Sequence, residues 1–230
     1  MLKENYENIE AEIQKACERA DRPREDVLLI SVSKTKPLTL VEEAVKLGYE
    51  VFGENKVQEL VDKYENISKP VSWHLIGHLQ TNKVKYIVDK ADYIHSVDSL
   101  RLAKEIQKEA AKKNVVCKIL LEVNVAEEAT KFGLRTDEVE DLILQIKDFP
   151  NILICGLMTI APYVANPEDN RMHFRTLRHL LLDINSKNID NVNMNVLSMG
   201  MTNDYQVAIE EGSTMVRIGT GIFGERDYNI

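Results

Sequence analysis

Cysteine is scarce in this chain: three in 230 residues, Cys17, Cys117 and Cys155, with no CxxC spacing among them. That pattern supports neither a disulfide framework nor a cysteine zinc site. Cys117 and Cys155 fall in apolar runs and read as packing thiols. Positive charge is also in deficit, with 29 Lys and Arg against 37 Asp and Glu for a net charge of −8. A nucleic-acid surface needs clustered cations to neutralise phosphates, and "KKN" at 112–114 is too short to supply one. No apolar stretch approaches the roughly 20 residues that a membrane helix requires. The N-terminal segment "MLKENYENIEAEIQKACERA" is rich in Glu and holds no continuous apolar run, so no secretory signal is expected. These absences predict a cytoplasmic protein of a reducing compartment, with neither nucleic acid nor membrane among its partners. No Pro/Gly/Ser-rich linker interrupts the chain, so one domain is expected over 1–230, with a helix inside 1–22 packed on it.

What is present is an alternation of short apolar runs with amphipathic segments. After an opening helix over 3–20, strands are predicted at 27–33, 49–53, 72–77, 92–97, 115–125, 151–158, 194–200 and 213–219. Helices are predicted between them at 38–48, 55–67, 80–90, 100–113, 136–149, 169–187 and 202–212, and a short glycine-rich turn follows the last strand. Strands that alternate with helices form a parallel sheet, and eight such units close into a (β/α)8 barrel of the TIM type. An open doubly wound sheet competes, but no GxGxxG follows the first strand.

The active face of such a barrel is the C-terminal end of its strands. The residues closing the predicted strands are Lys34, Asn55, His74 with Gly77, His95, Asn124, Met158 with Thr159, Ser198 with Gly200, and Arg217 with Gly219 and Thr220. Lys34 shares strand parity with Ile30 and Val32, but both faces of a barrel strand are buried, so parity leaves its direction open. By itself such a lysine reads as a side chain snorkelling to solvent. A desolvated amine that attacks a carbonyl is the alternative. "LSMGMTNDY" (197–205) and "VRIGTGIFG" (216–224) close strands seven and eight, where this fold commonly builds a phosphate site. Gly200, Gly219 and Gly221 would admit phosphate oxygens to the backbone, and Ser198 and Thr220 offer hydroxyls. An amine on strand one is next to that cradle once the barrel closes. A phosphorylated carbonyl compound would bridge the two, and pyridoxal 5′-phosphate (PLP) fits that description.

"SVSKTKP" (31–37), "FGEN" (52–55), "WHLIGHLQTNK" (73–83), "GLMTI" (156–160), "LSMGMTNDY" and "GSTMVRIGTGIFGERDY" (212–228) together resemble the pyridoxal-phosphate homeostasis proteins. The resemblance spans nearly the whole chain, and that family's fold is similar to the barrel domain of bacterial alanine racemase. It implies that Lys34 carries PLP as a Schiff base, that Ser198, Met199, Gly200, Gly219 and Thr220 hold the phosphate, and that Arg217 approaches the pyridine nitrogen. A guanidinium can only donate, so the ring nitrogen would stay unprotonated and the ring would be a weak electron sink. Asn55 reads either as a cavity residue or as the N-cap of the next helix. His74 and His78 lack a third ligand at metal spacing, so no metal is expected. Met158, His173 and His179 read as packing or surface residues. The resemblance implies a carrier that protects PLP or delivers it to PLP-requiring apo-enzymes, with no catalytic residue assigned and a monomer expected. The competing reading is a PLP-dependent amino-acid racemase. It would need a second acid/base, which similar racemases draw from an additional domain that this chain has no room for, or which Tyr163 would replace.

Overall fold

The computed structural model describes residues 1–128 and 132–225, so the end of the 212–228 motif lies outside the described residues. Eight parallel strands close into a barrel in chain order, and β8 (Met215–Ile218) pairs with β1 (Leu28–Val32) to complete it. The others are β2 (Val51–Glu54), β3 (Ser72–Leu75), β4 (Tyr93–Val97), β5 (Cys117–Glu122), β6 (Ile152–Met158) and β7 (Val196–Met201).

Alternation along each strand separates two cores. Ile30, Val32, Ile76, Leu120, Cys155, Met158, Val196 and Met215 form a cluster drawn from the strands and their ends alone, which is the barrel interior. The larger cluster joins the outward side chains to the helices: α2 (Leu38–Lys46), α3 (Val57–Asn66), α4 (Leu100–Lys113), α5 (Val139–Ile146), α6 (Arg171–Ser186) and α7 (Tyr205–Glu210). Since Ile30 and Val32 face inward, the next residue of that parity, Lys34, continues toward the mouth. The side that the sequence left open is therefore the interior side.

The expected helix over 80–90 is absent; Thr81–Tyr86 forms a 3-10 helix instead. Its buried Val84 and the following Ile87 are three residues apart, a spacing that the tighter 3-10 turn also places on one side. The segment predicted as one helix over 136–149 divides into a 3-10 turn, Thr136–Glu138, and α5. After β8 the chain forms a one-turn helix, α8 (Thr220–Phe223), rather than a plain turn. The N-terminal helix α1 (Leu2–Arg19) packs on α7 and α8, and Asn5 Nδ2 donates to Ile222 O at 2.9 Å. In this way α1 covers the seam that a full eighth helix would otherwise cover.

Behind the β1 end lies a buried ion pair. Lys63 Nζ of α3 donates to Glu54 Oε1 at 2.7 Å and to Ser33 O at 2.8 Å, and Ser33 Oγ donates to the same Glu54 oxygen at 2.6 Å. Burial pushes the Glu54 carboxyl up to about 7, against the pull of Lys63. Its Oε2 has no hydrogen-bond partner among the described residues. The loop carrying Lys34 is thus fixed from beneath by a buried pair. Breaking one half leaves the other uncompensated, so Lys63→Met is expected to cost about 3–5 kcal/mol in urea unfolding. The double variant Glu54→Leu/Lys63→Met should cost clearly less than the single, because no buried charge is left behind.

Candidate functional site

A cavity of about 700 Å³ opens at the C-terminal ends of the strands. Volumes of about 660 and 550 Å³ occur beside 78–102 and near the start of β3 to β5, but neither gathers residues from around the barrel. Lys34, Asn55, Arg217, Gly219 and Thr220 line the mouth cavity, so five of the residues singled out above converge from β1, β2 and β8.

The other three do not reach its wall. Ser198 is fully buried, and its hydroxyl accepts from Arg217 Nη1 at 2.6 Å and lies 3.0 Å from His95 Nδ1. Met199 packs in the layer between strands and helices. Gly200 has φ +91°, and a Cβ there would lie 2.9 Å from Tyr205 Cα, so this glycine lets α7 press against β7. The hydroxyl donor expected of Ser198 is therefore committed inside the barrel. Asn55 is not the cap of α3 either. Lys56 occupies that position, with no side-chain cap. Gly77 allows the Asn55 backbone to pass so closely that a Cβ would sit 2.7 Å from its Cα.

The two lysines of "SKTKP" take different tasks. Thr35 between them has φ +63° and donates its N–H to Glu59 Oε2 at 2.8 Å, which turns the backbone. Lys36 Nζ then donates to the carbonyls of Phe223, Gly224 and Glu225 at 3.1, 3.2 and 2.8 Å. Its charge complements the C-terminal end of α8, while Lys34 stands half-buried at the cavity.

Arg217 is held from behind by Ser198 and by the Thr159 carbonyl, which accepts from Nη2 at 2.8 Å. Burial lowers its pKa to about 10, with Asp204 and Glu122 opposing, so it remains a cation at neutral pH. Glu122, which closes β5 and lines the cavity, was not singled out from the sequence. The signal was present: "KILLEVNV" ends an apolar strand with a charge, the same pattern that marks Lys34. Asn124, chosen instead, closes its own loop by donating to Glu128 O at 2.8 Å. Ile160, Tyr163, Thr202 and Asn203 complete the rim. Met158 is fully buried in the interior core, and His173 is half-buried and His179 exposed on α6. Among the described residues no group of three His, Cys, Asp or Glu side chains is placed to hold a metal ion.

Burial, then the Asp98 charge, pushes Glu122 up to about 7, while Arg217 pulls it down. The folded state therefore keeps this proton over a pH range where the unfolded chain, near 4.5, has lost it. The resulting stability is present below the unfolded value and is lost as pH rises through about 7. Glu54 titrates over the same window but cancels when the parent is compared with a Glu122 variant. Glu122→Gln is expected to match the parent near pH 5. At pH 8 it should exceed it by on the order of 2 kcal/mol, read from urea midpoints at the two pH values.

Comparison with known proteins follows the same geometry. The family described as "Alanine racemase, N-terminal domain" matches residues 5–227. The pyridoxal phosphate homeostasis protein of Aquifex aeolicus is 49% identical over 217 residues, covering 94% of each chain. PipY of Synechococcus elongatus, solved with PLP bound, superposes with a TM-score of 0.84 at 30% identity over 97% of this chain and 100% of that one. An alanine racemase of Clostridium difficile shares the fold, with a TM-score of 0.76 at 13% identity over 99% of this chain and 57% of that one. The likeness runs from the first helix through the last strand, and the chain belongs to the pyridoxal phosphate homeostasis protein family.

Proposed function

We propose that this protein holds PLP in the mouth cavity, tethered to Lys34 as a Schiff base, and protects or delivers it to PLP-requiring apo-enzymes without turning over a substrate of its own. The observation that carries the reading is the β8–β1 seam. Ser31 pairs with Ile218, so Gly219 and Thr220 stand beside Val32 and Ser33, one step from Lys34. An amine and a glycine-containing turn meet there, with the Arg217 guanidinium lower on the same strand. The cavity fits the group on its own terms. It is large enough for a pyridine ring with its phosphate, and Gly219 and Thr220 line it beside Lys34 and Arg217.

Bound PLP supplies an electrophilic aldehyde on a conjugated ring. Lys34 would provide the amine nitrogen that holds the group through that aldehyde. Gly219 and Thr220 would hold the phosphate, whereas Ser198, Met199 and Gly200, expected beside them, do not line the cavity. Asn55 borders the ring. Arg217 would donate toward the ring nitrogen and, having no acceptor, would leave it unprotonated. A neutral ring stabilises carbanions poorly, which favours storage over turnover. Among the described residues no helix is long and apolar enough to cross a membrane, and a cytoplasmic monomer is part of the proposal. A racemase reading draws on Tyr163, which lines the same cavity with its ring exposed.

Purified protein mixed with PLP is expected to develop a visible absorption band that borohydride abolishes. Peptide mapping of the reduced protein should place the pyridoxyl group on Lys34. No band, or an adduct only elsewhere, defeats the reading. Amino-acid racemisation assays on the loaded protein are expected to show no turnover, and steady turnover that Tyr163→Phe removes would establish the racemase.

A further inference from the structure

The interior of a (β/α)8 barrel is ordinarily filled with branched apolar side chains. Here its centre holds two imidazoles, a hydroxyl and a guanidinium, contributed by β3, β4, β7 and β8. His74, His95, Ser198 and Arg217 are each no more than 4% exposed. They form a continuous chain. Arg217 Nη1 donates to Ser198 Oγ at 2.6 Å, Ser198 Oγ lies 3.0 Å from His95 Nδ1, and His95 Nε2 lies 2.9 Å from His74 Nδ1. Neither the phosphate cradle nor the Lys34 tether uses the two histidines.

The direction of this chain follows from donor and acceptor counts. A guanidinium only donates, so Ser198 Oγ is an acceptor toward Arg217. The hydroxyl then has one hydrogen to place, and His95 Nδ1 is its only other hydrogen-bond partner among the described residues. If His95 Nδ1 carried a proton, two donors would converge on Oγ and the hydroxyl hydrogen would be buried without an acceptor, at a cost of about 1–3 kcal/mol. The satisfied arrangement has Ser198 donating to His95 Nδ1, His95 donating from Nε2 to His74 Nδ1, and His74 protonated on Nε2. Both rings are then neutral. Their burial favours this: it lowers the His74 pKa to about 4 and holds His95 well below its ordinary value, with Arg217 adding to the effect on His95. The charged groups near His74 are Asp92 and Lys118, which oppose each other, and its ring packs 5.0 Å from Tyr93. Acceptance from a cation also polarises the hydroxyl and strengthens the next bond in line.

We propose that His95, backed by His74 and acting through Ser198, is a positioning residue for Arg217: a relay of fixed direction that holds the guanidinium in one pose at the cavity. The inference rests on the PLP reading for its consequence, since a fixed guanidinium is what keeps the ring nitrogen unprotonated, but the relay itself exists without the cofactor. If the pose is lost, the guanidinium can turn away and the ring nitrogen can take a proton.

The test has two arms. In the cofactor-free protein, 15N NMR of the imidazoles is expected to show both histidines protonated on Nε2. The Arg217 Nη protons should exchange slowly in the parent and measurably faster in His95→Leu. A His95 ring protonated on Nδ1, or unchanged Arg217 exchange in a folded His95→Leu, overturns the proposal. In the second arm, PLP is added. His95→Leu should bind roughly ten to a hundred times more weakly, the loss expected when a displaced Arg217 no longer makes its charged hydrogen bond to the ring. It should also shift the pH midpoint of the visible band, and His95→Asn, which restores an acceptor near the Nδ1 position, should recover part of both. An unchanged pH profile and affinity in His95→Leu would reduce the pair to packing. If His95→Leu does not fold, the parent tautomers and Ser198→Ala decide in its place. If the parent binds no PLP, the cofactor reading fails, while the tautomer and exchange measurements still judge the relay.

Discussion

A cation with almost no exposure stands near the axis of this barrel, and much of the surrounding structure is arranged to make its burial tolerable. An unpaired charge in that setting would cost several kcal/mol. Among the described residues no carboxylate directly contacts Arg217. Its two terminal nitrogens donate instead to a hydroxyl and a backbone carbonyl, with Glu122 and Asp204 acting on it through the field. That choice keeps the guanidinium charged while leaving it able to donate into the cavity, which a bidentate carboxylate partner would prevent. It also dictates the neighbours. The imidazoles beside it must be neutral, and a carboxyl at the same mouth retains its proton to higher pH than usual because burial outweighs the attraction of the guanidinium.

The β1 end obeys the same logic with opposite means. There Lys34 faces the cavity, and the loop that carries it is held by several contacts. Lys63 and Glu54 provide a buried anchor below it, Glu59 ties down the strained Thr35 amide, and Lys36 binds the loop to the end of α8. Three separate restraints thus surround one amine. The α1 helix contributes from outside by covering α8, so that the turn bearing Gly219 and Thr220 cannot lift away from the seam.

The barrel was legible because its evidence is periodic and repeated: eight apolar runs, each long enough to exclude chance, alternating with amphipathic segments. The segment over 80–90 was not, since Val84 and Ile87 satisfy 3-10 and α spacing alike, and only packing between β3 and β4 decides between them. Lys34 could be marked as a polar residue ending an apolar strand, but its inward direction became definite only when Ile30 and Val32 proved to lie in the interior cluster. Ser198 illustrates the opposite limit. Its place beside glycine in "LSMG" suggested a phosphate donor, yet its hydroxyl direction depends on Arg217 and His95, 19 and 103 residues away in sequence. Glu122 and Asn124 both stand at the polar end of the β5 run, and only the cavity lining separates the carboxyl from the loop-closing amide.

The site is also shaped for an open mouth. Tyr163 is 91% exposed and Phe132, stacked on His78 at 3.9 Å, is 57% exposed, so large rings stand at the rim with faces toward solvent. A reaction chamber excludes water to strengthen its electrostatics, whereas an exchange site needs a path by which its occupant can leave. This cavity has a floor of buried side chains, Glu122 and Arg217, and a solvent-facing entrance. In the proposed reading, such a floor would orient a group tethered to Lys34, and the entrance would leave its outer face within reach of an incoming amine, as a reversible store requires.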